Sequence, residues 1–373
     1  MSLAHRIDAC VRILEDRGLD LLIGFGGHIH NFLMCEPVLV LSGFRTIGPT
    51  AAILDRNGKV SLLVSPAWDA ARAKRFCGER AEIEGTEDLV AALARNLSDA
   101  RVSKARIGFA GADLLPSGLV DKLRAAMGPS AVDLDEQVRQ VDRVRTPEEL
   151  ENARKATEIA ERGFERLLEI ARPGMAEYEF AADILCAMKA LGAQDNFLLI
   201  NSSQHGWGVG PPGRRIIQEG DLILAEITPC FGWQFSQICR TVSVGKPSGT
   251  VLEKFSLLDR ALRVGLKSAV PGTRVLDTAN AINKVIMDAG YKDFCGPPYM
   301  RVRGHGLGNL SDLPGDIDSN NEALFAENML FVMHPNQYLP ETGYMMCGEP
   351  VRIAADGAIP LTSRLGTLDW VEA

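Results

Sequence analysis

The chain has 373 residues, of which 46% are hydrophobic and 24% are charged, as in an average globular protein. This length exceeds what one hydrophobic core usually supports, so two domains are expected. The formal net charge of −8 argues against a nucleic-acid partner or an anionic membrane surface, because binding phosphates requires a basic face.

The longest apolar segments, such as Pro37–Leu41 and Leu222–Ala225, have the length of a strand. Crossing a membrane takes roughly 20 residues, so no membrane span is expected. The residues from Met1 to Arg6 lack the apolar region of a signal peptide, which predicts a cytoplasmic protein. Eight cysteines without CxxC spacing exclude a zinc ribbon and disfavour a disulfide framework.

The first part of the chain alternates helix and strand patterns. Ile7, Val11 and Leu14 lie at the spacing of one helix face. The turn residues Arg56–Lys59 separate two of the predicted strands and indicate a hairpin. The predicted strands are Leu19–Gly24, Ala51–Asp55, Val60–Val64 and Ala105–Ala110. This pattern predicts an α/β domain over residues 1–140.

A helix start follows this region. Thr146 is suited to an N-cap, Pro147 to the first helical position and Glu149 to the third position of a capping box. The helix that begins here is expected to end at Arg172, which a proline and a glycine follow. A second helix is predicted over about Glu177–Leu191. We place the second domain at residues 141–373.

Two later segments resemble each other. Asp221–Glu226 and Asn328–His334 each begin at a turn, continue as a buried strand and end in a polar side chain, with a proline within three residues. Two such halves facing each other would bring both strand ends to one central cleft. The sequence therefore predicts a duplicated domain with a site between its two halves.

Five motifs occur along the chain in a specific order. They are Arg-Thr-Pro-Glu-Glu-Leu at 145–150, Arg-Pro-Gly-Met at 172–175, Gly-Asp-Leu-Ile-Leu at 220–224, Cys-Arg-Thr-Val-Ser-Val-Gly at 239–245 and Gly-His-Gly-Leu-Gly at 304–308. Together they resemble the pita-bread family of creatinase, Xaa-Pro aminopeptidase and prolidase. The resemblance implies an α+β fold class, with a creatinase-type N-terminal α/β domain (1–140) followed by a pita-bread catalytic domain (141–373). It also implies a hydrolase of C–N bonds that forms a homodimer.

The resemblance also implies where a metal would bind. Metallopeptidases of this family use two Asp, one His and two Glu, and the matching positions here are Glu226, Gln237, His305, His334 and Glu349. A bridged pair of divalent ions needs several carboxylates to offset about four positive charges. Because Gln237 carries no charge and His334 is a neutral ligand, the family's two-metal centre is not expected.

The four remaining polar residues, Glu226, His305, His334 and Glu349, have two interpretations. In the first they perform acid–base chemistry without a metal or any other cofactor, as the resemblance to the creatinase branch implies. In the second they hold one divalent ion, Zn, Mn or Fe. We take the metal-free interpretation as the main prediction. His205 is a candidate general base, because it lies close to the position of the family's substrate-facing histidine.

Two arginines precede the motif histidine. Arg301 and Arg303 share one face of a strand, and a guanidinium group is the usual partner of a substrate carboxylate. An ion pair between these arginines and Asp312, Asp316 or Asp318 is an equally favoured alternative to binding substrate.

Other side chains are predicted to line the substrate pocket. Cys239 stands where the resemblance implies a substrate-contacting Glu, and a thiol lining the pocket is favoured over a nucleophile. Gln237 and the loop residue Trp207 are further candidates for contact with substrate. His28 and His30 lie on a glycine-rich loop. The resemblance implies that this loop can approach the cleft of a second subunit, but a solvated loop is favoured.

The main functional prediction is a metal-independent, creatinase-like hydrolase that cleaves a C–N bond of a small carboxylated metabolite. One alternative is a metal-dependent Xaa-Pro dipeptidase or aminopeptidase with an unusual mononuclear site. The other is a non-catalytic pita-bread binding module. The expected partner is a small-molecule substrate.

Overall fold

The structure is a computed structural model that describes residues 3–26, 36–98, 105–309 and 313–373. His28, His30 and Asp312 lie outside these residues. The chain divides into two compact units, Met1–Thr146 and Pro147–Ala373. The division coincides with the start of the long helix at Pro147, just after the boundary predicted at residues 140 and 141.

The described residues of the first unit form a mixed sheet with helices. The helices are α1 (Leu3–Asp16), α2 (Pro37–Ser42), α3 (Ala70–Cys77), α4 (Leu89–Ser98), α5 (Ser117–Met127) and α6 (Asp135–Val141). The strands are β1 (Leu21–Gly26), β2 (Thr50–Asp55), β3 (Val60–Val64), β4 (Ala81–Gly85), β5 (Ile107–Ala110) and β6 (Val132–Asp133). Their order is β4-β3-β2-β1-β5-β6, and β2 runs antiparallel to both of its neighbours. The predicted hairpin is thus β2–β3.

The second unit begins with the predicted long helix. Its helices are α7 (Pro147–Ile170), α8 (Glu177–Ala190), α9 (Gly249–Ser268) and α10 (Val275–Ile286). Its strands are β7 (Asp195–Ser203), β8 (Leu222–Phe231), β9 (Gln234–Phe235), β10 (Ile238–Val244), β11 (Gly304–Gly306), β12 (Leu330–Met333), β13 (Gln337–Leu339), β14 (Gly343–Met345), β15 (Glu349–Ala354), β16 (Gly357–Pro360) and β17 (Asp369–Val371).

These strands belong to two larger sheets and one hairpin. The first sheet has the order β17-β10-β8-β7, with β9 paired to β8, and the second has the order β11-β12-β15-β16. Strands β13 and β14 pair with each other. In each half a helix pair precedes the strands, α7 and α8 in one and α9 and α10 in the other. This repetition gives an α+β unit with two halves.

The apolar face of the first half is buried. Ile159, Phe164 and Leu167 of α7 pack with Ile223 of β8 and Ile238 of β10 in one core. These residues follow the helix and strand periods predicted from the sequence, because burying one face is what stabilises an amphipathic element. In the part of the chain that the structure describes, no helix is both long and apolar enough to cross a membrane.

Candidate functional site

A pair of backbone hydrogen bonds joins the two sheets of the second unit. Cys239 of β10 and Gly348, which precedes β15, donate N–H groups to each other's carbonyl oxygens, both at 3.1 Å. This bridge brings the end of β15 against β10. Side chains from both sheets therefore meet there.

Three polar side chains of the first sheet share the face at this bridge. Glu226 of β8 is the register partner of Cys239, so the two side chains lie side by side. Gln237 is two residues before Cys239, and its Nε2 donates to the Cys239 Sγ at 3.6 Å. Ile238, between them, points into the hydrophobic core instead, as strand alternation requires.

Two histidines come from the second sheet. His334 follows the last residue of β12 and His305 lies in β11, and their ring centroids are 5.4 Å apart. A Cβ at Gly348 would lie only 2.5 Å from the Cβ of His334 and 3.0 Å from that of Cys239. His334 is therefore next to the bridge. We call Glu226, Gln237, Cys239, His305 and His334 the central cluster.

Burial sets the charges of the central cluster. It raises the pKa of Glu226 to about 7, although the positive charge of Arg301 acts in the opposite direction. Burial, and then repulsion from His305, holds the pKa of His334 well below its usual value. Burial and the neighbouring Glu226 raise the pKa of Cys239 well above its usual value. At neutral pH the cluster thus contains a neutral His334, a protonated thiol and a partly ionised carboxyl group.

Two buried polar atoms of the central cluster have no hydrogen-bond partner among the residues that the structure describes. They are Nδ1 of His334 and Oε1 of Gln237, on side chains whose residues are 7% and 0% exposed. A buried polar atom without a partner is costly, and in native proteins it usually has a functional explanation. Both atoms are thus available to a bound substrate or water molecule.

Glu349 does not lie with the central cluster, which corrects the predicted set. Its carboxylate accepts hydrogen bonds from the Arg240 Nη2 at 3.1 Å, the Gly366 N–H at 2.7 Å and the Thr362 hydroxyl at 2.8 Å. Because side chains alternate along an extended chain, Gly348 is the residue that faces the central cluster. Sequence comparison by motif missed this shift of one residue.

Gly348→Ala is expected to destabilise the protein by about 1–3 kcal/mol, the usual cost of overpacking. The added methyl group would collide with the Cβ atoms of His334 and Cys239. Thermal unfolding measures the effect. Gly249→Ala is the control, since a Cβ at this exposed helix start meets no atom within 4 Å. Equal stability of Gly348→Ala and the wild type would contradict the packing described here.

The two arginines have different surroundings. Arg301 has a side chain that is 73% exposed and pairs with Asp316 at 3.2 Å. Arg303 is fully buried, and it donates to Oδ1 of Asn283 at 2.7 Å, the carbonyl of Asn336 at 3.1 Å and Oε1 of Gln337 at 2.9 Å. Burial lowers the pKa of Arg303 to about 10. Arg303 therefore holds the backbone after His334 in place by hydrogen bonds to uncharged acceptors.

His205 and Trp207 lie on an exposed loop of the second unit. Nε2 of His205 donates to the Pro340 carbonyl oxygen at 2.9 Å. The Trp207 ring stacks on Tyr338 with a centroid distance of 4.5 Å. These contacts tie the loop to the β13–β14 hairpin, and they do not place His205 or Trp207 in the central cluster.

Two halves, each with a helix pair followed by a sheet, form the pita-bread fold. A sequence model of metallopeptidase family M24 matches residues 151–359, and the chain belongs to this family. Its activity is hydrolysis of C–N bonds, so the predicted fold class and enzyme class are confirmed.

Three relatives illustrate the similarity. The "Probable dipeptidase PepE" of Mycobacterium bovis is 27% identical over 273 residues, which are 72% of this chain and 71% of the relative. The Xaa-Pro dipeptidase of Pyrococcus furiosus is 28% identical over 61% of this chain and 66% of its own. The X-Pro aminopeptidase structure from Thermotoga maritima superimposes with a TM-score of 0.85 at 23% identity, covering 98% of this chain and 99% of its own.

The prediction that no cofactor takes part is wrong, because the chain belongs to a family of metallopeptidases. The side chains present do not, however, form the ligand set of a carboxylate-bridged pair of ions. Gln237 is neutral, and Glu349 is bound to Arg240. Among residues 3–26, 36–98, 105–309 and 313–373, no group of three or more His, Cys, Asp or Glu side chains is arranged to hold a metal ion.

Proposed function

We propose that this chain is a dipeptidase that hydrolyses Xaa-Pro peptides. The central cluster carries the proposal. It contains a buried carboxyl group with a pKa of about 7 and two buried polar atoms that have no hydrogen-bond partner within the described part of the chain. The substrate class is supported by the similarity to relatives named as a probable dipeptidase and an Xaa-Pro dipeptidase. These names favour a peptide substrate over the creatinase-like metabolite.

Glu226 is the acid–base group of this proposal. Hydrolysis adds the hydroxyl group of water to the peptide carbonyl carbon, and the proline nitrogen leaves with the remaining proton. A carboxyl group with a pKa of about 7 can accept that proton and return it at neutral pH. This carboxyl group belongs to β8 and is the register neighbour of Cys239, which supports its role in the central cluster.

His334 and Gln237 position the reacting groups. His334 stays neutral at neutral pH, since its pKa is far below the usual value, and its Nδ1 is available to orient water or the substrate. The Gln237 Oε1 is an acceptor for a substrate N–H group. His305 packs against His334 and restricts its ring. Arg301, whose side chain is exposed, is available to a substrate carboxylate if the pair with Asp316 opens.

A substrate panel tests the proposal. Purified protein is assayed, with and without added Mn²⁺ or Zn²⁺, on Gly-Pro, Gly-Ala, an Xaa-Pro tripeptide and a guanidino acid. We expect Gly-Pro to be hydrolysed most efficiently. Preference for the guanidino acid would favour the creatinase-like substrate instead, and preference for the tripeptide would indicate an aminopeptidase. Absence of turnover on every substrate would reject the proposal. Formation of a homodimer and location in the cytoplasm stay predictions.

The pH dependence should report the raised pKa of Glu226. Because the ionised form is the base, kcat/KM is expected to rise with pH through an apparent pKa of about 7. The ordinary pKa of this carboxyl group is 4.5, and burial raises it to about 7. Between these two pH values Glu226 keeps its proton in the folded state but loses it in the unfolded state. The contribution of Glu226 to the free energy of unfolding therefore falls as pH rises through this window. A rising limb near pH 4.5 would contradict the assignment.

A further inference from the structure

Four aromatic rings form one contiguous surface of the second unit. Trp207 stacks on Tyr338 at 4.5 Å between centroids with an interplanar angle of 7°. Tyr299 lies 6.0 Å from Trp207 and 5.3 Å from Tyr338. Phe294 lies 4.7 Å from Tyr299. We call Trp207, Tyr299, Tyr338 and Phe294 the aromatic wall.

The other rings of the aromatic wall cover only one face of the Trp207 indole. Two rings on opposite faces of Trp207 would be separated by roughly twice the usual stacking distance. Tyr299 and Tyr338 are much closer to each other than that, so both lie toward the same side. Accordingly, Trp207 is 65% exposed, whereas Tyr338 is 7% exposed. In the part of the chain that the structure describes, the outer face of the indole is open to solvent.

The loop that carries Trp207 is held in place. The Tyr344 N–H donates to the Gly206 carbonyl at 2.9 Å, and His205 donates to the carbonyl of Pro340. Gly343 packs so closely that a Cβ there would lie 2.8 Å from the backbone of Gly206. Three contacts with the hairpin thus fix the residues around Trp207, so that the indole is a preformed surface.

The hairpin connects the aromatic wall with the central cluster. Strand β13 begins three residues after His334 and carries Tyr338. Tyr344 of β14 is the register partner of Tyr338, and burial and, after it, the charges of Cys239 and Glu226 raise its pKa. The same residue binds the backbone of Gly206, which precedes Trp207. The hairpin therefore extends from the exposed indole to the residues around Glu226.

We propose that the outer face of Trp207 binds the side chain of the variable residue Xaa of the substrate and selects aromatic or large apolar side chains. This inference rests on the proposed function. Proline occupies a fixed position in an Xaa-Pro peptide, so Xaa is the residue that the enzyme can discriminate. A flat, apolar and rigid ring beside the cleft favours a side chain that can stack on it.

Kinetics on Phe-Pro and Gly-Pro test the inference. The ratio of kcat/KM for Phe-Pro to kcat/KM for Gly-Pro measures the preference. We expect Trp207→Ala to lower this ratio about threefold to tenfold, which corresponds to the free energy of one aromatic contact. The loss should arise from a higher KM for Phe-Pro. Trp207→Phe keeps a ring at this position and should restore most of the preference.

Trp370→Ala is the matched control, because Trp370 is 52% exposed and lies on β17. This variant should keep the wild-type ratio. An unchanged ratio in Trp207→Ala would overturn the inference, and so would an equal loss of kcat/KM on both substrates. A change in oligomeric state without a change in the ratio would show that the aromatic wall serves association instead, which also overturns it.

Binding separates this inference from the proposed function. If the wild type hydrolyses neither peptide, the proposed function fails, and the dissociation constants of Phe-Pro and Gly-Pro are measured by calorimetry. Tighter binding of Phe-Pro that is lost in Trp207→Ala would still support the subsite. Equal binding of both peptides would overturn it.

Discussion

Glu226→Gln should lower kcat/KM by roughly 10²–10⁴-fold, the range expected when a general acid–base group is removed. The amide keeps the size of the side chain, but it can no longer accept a proton. Since the carboxyl group is mainly perturbed by burial, the substitution should not lower the thermal stability of the fold. Activity on Gly-Pro and the midpoint of thermal unfolding are the two measurements.

Glu219→Gln is the control for Glu226→Gln. Glu219 is exposed and lies outside the central cluster, so its neutralisation should leave kcat/KM unchanged. The pH profile adds a second criterion, because the rising limb near pH 7 should disappear from any residual activity of Glu226→Gln. A variant that keeps more than a tenth of the wild-type activity, with the same pH profile, would remove Glu226 from the mechanism.

Arg240→Met is expected to reduce the free energy of unfolding by about 3–5 kcal/mol, the typical cost of breaking a buried ion pair by removing one partner. The side chains of Arg240 and Glu349 are 5% and 0% exposed and lie 3.0 Å apart. Arg240 also donates to the carbonyl groups of Cys239 and Gly348 at 3.1 and 2.7 Å. Its loss leaves a buried carboxylate without its cation and weakens the bridge between the two sheets.

Urea unfolding followed by tryptophan fluorescence measures this loss, since Trp207, Trp233 and Trp370 lie in the second unit. Arg274→Met removes an arginine from an exposed pair with Asp277 and should have little effect. Arg240→Met combined with Glu349→Leu should recover part of the stability, because no charge remains buried. Equal losses in Arg240→Met and Arg274→Met would show that the buried pair does not stabilise the fold.

Local patterns predicted several helices and strands correctly. Helix α7 begins at Pro147 as the capping pattern indicates, and the hairpin β2–β3 follows the turn residues between Asp55 and Val60. These features depend on residues close in sequence, whose conformational preferences act over a few positions. The apolar segment at Pro37 is instead a short helix, since length and hydrophobicity do not separate a short buried helix from a strand.

The central cluster could be predicted in part. His334 follows the last residue of β12 as predicted, whereas Glu226 lies inside β8, which continues to Phe231. Gln237 and Cys239 share a face because they are two residues apart. Glu349 could not be placed in this way. A shift of one residue moves a side chain to the other face of a strand, and only the bridge between Cys239 and Gly348 defines which residue faces the cleft.

The sequence by itself determined several of the helices and strands, the family, and the shortage of carboxylates at the positions of the family's metal ligands. Tertiary structure decided which side chains meet. Arg240 and its partner Glu349 are 109 residues apart in the chain, and the aromatic wall joins the loop of Trp207 to the hairpin of Tyr338. Such contacts, and the burial that shifts the pKa of Glu226, arise only when distant segments pack together and exclude water, which no local pattern encodes.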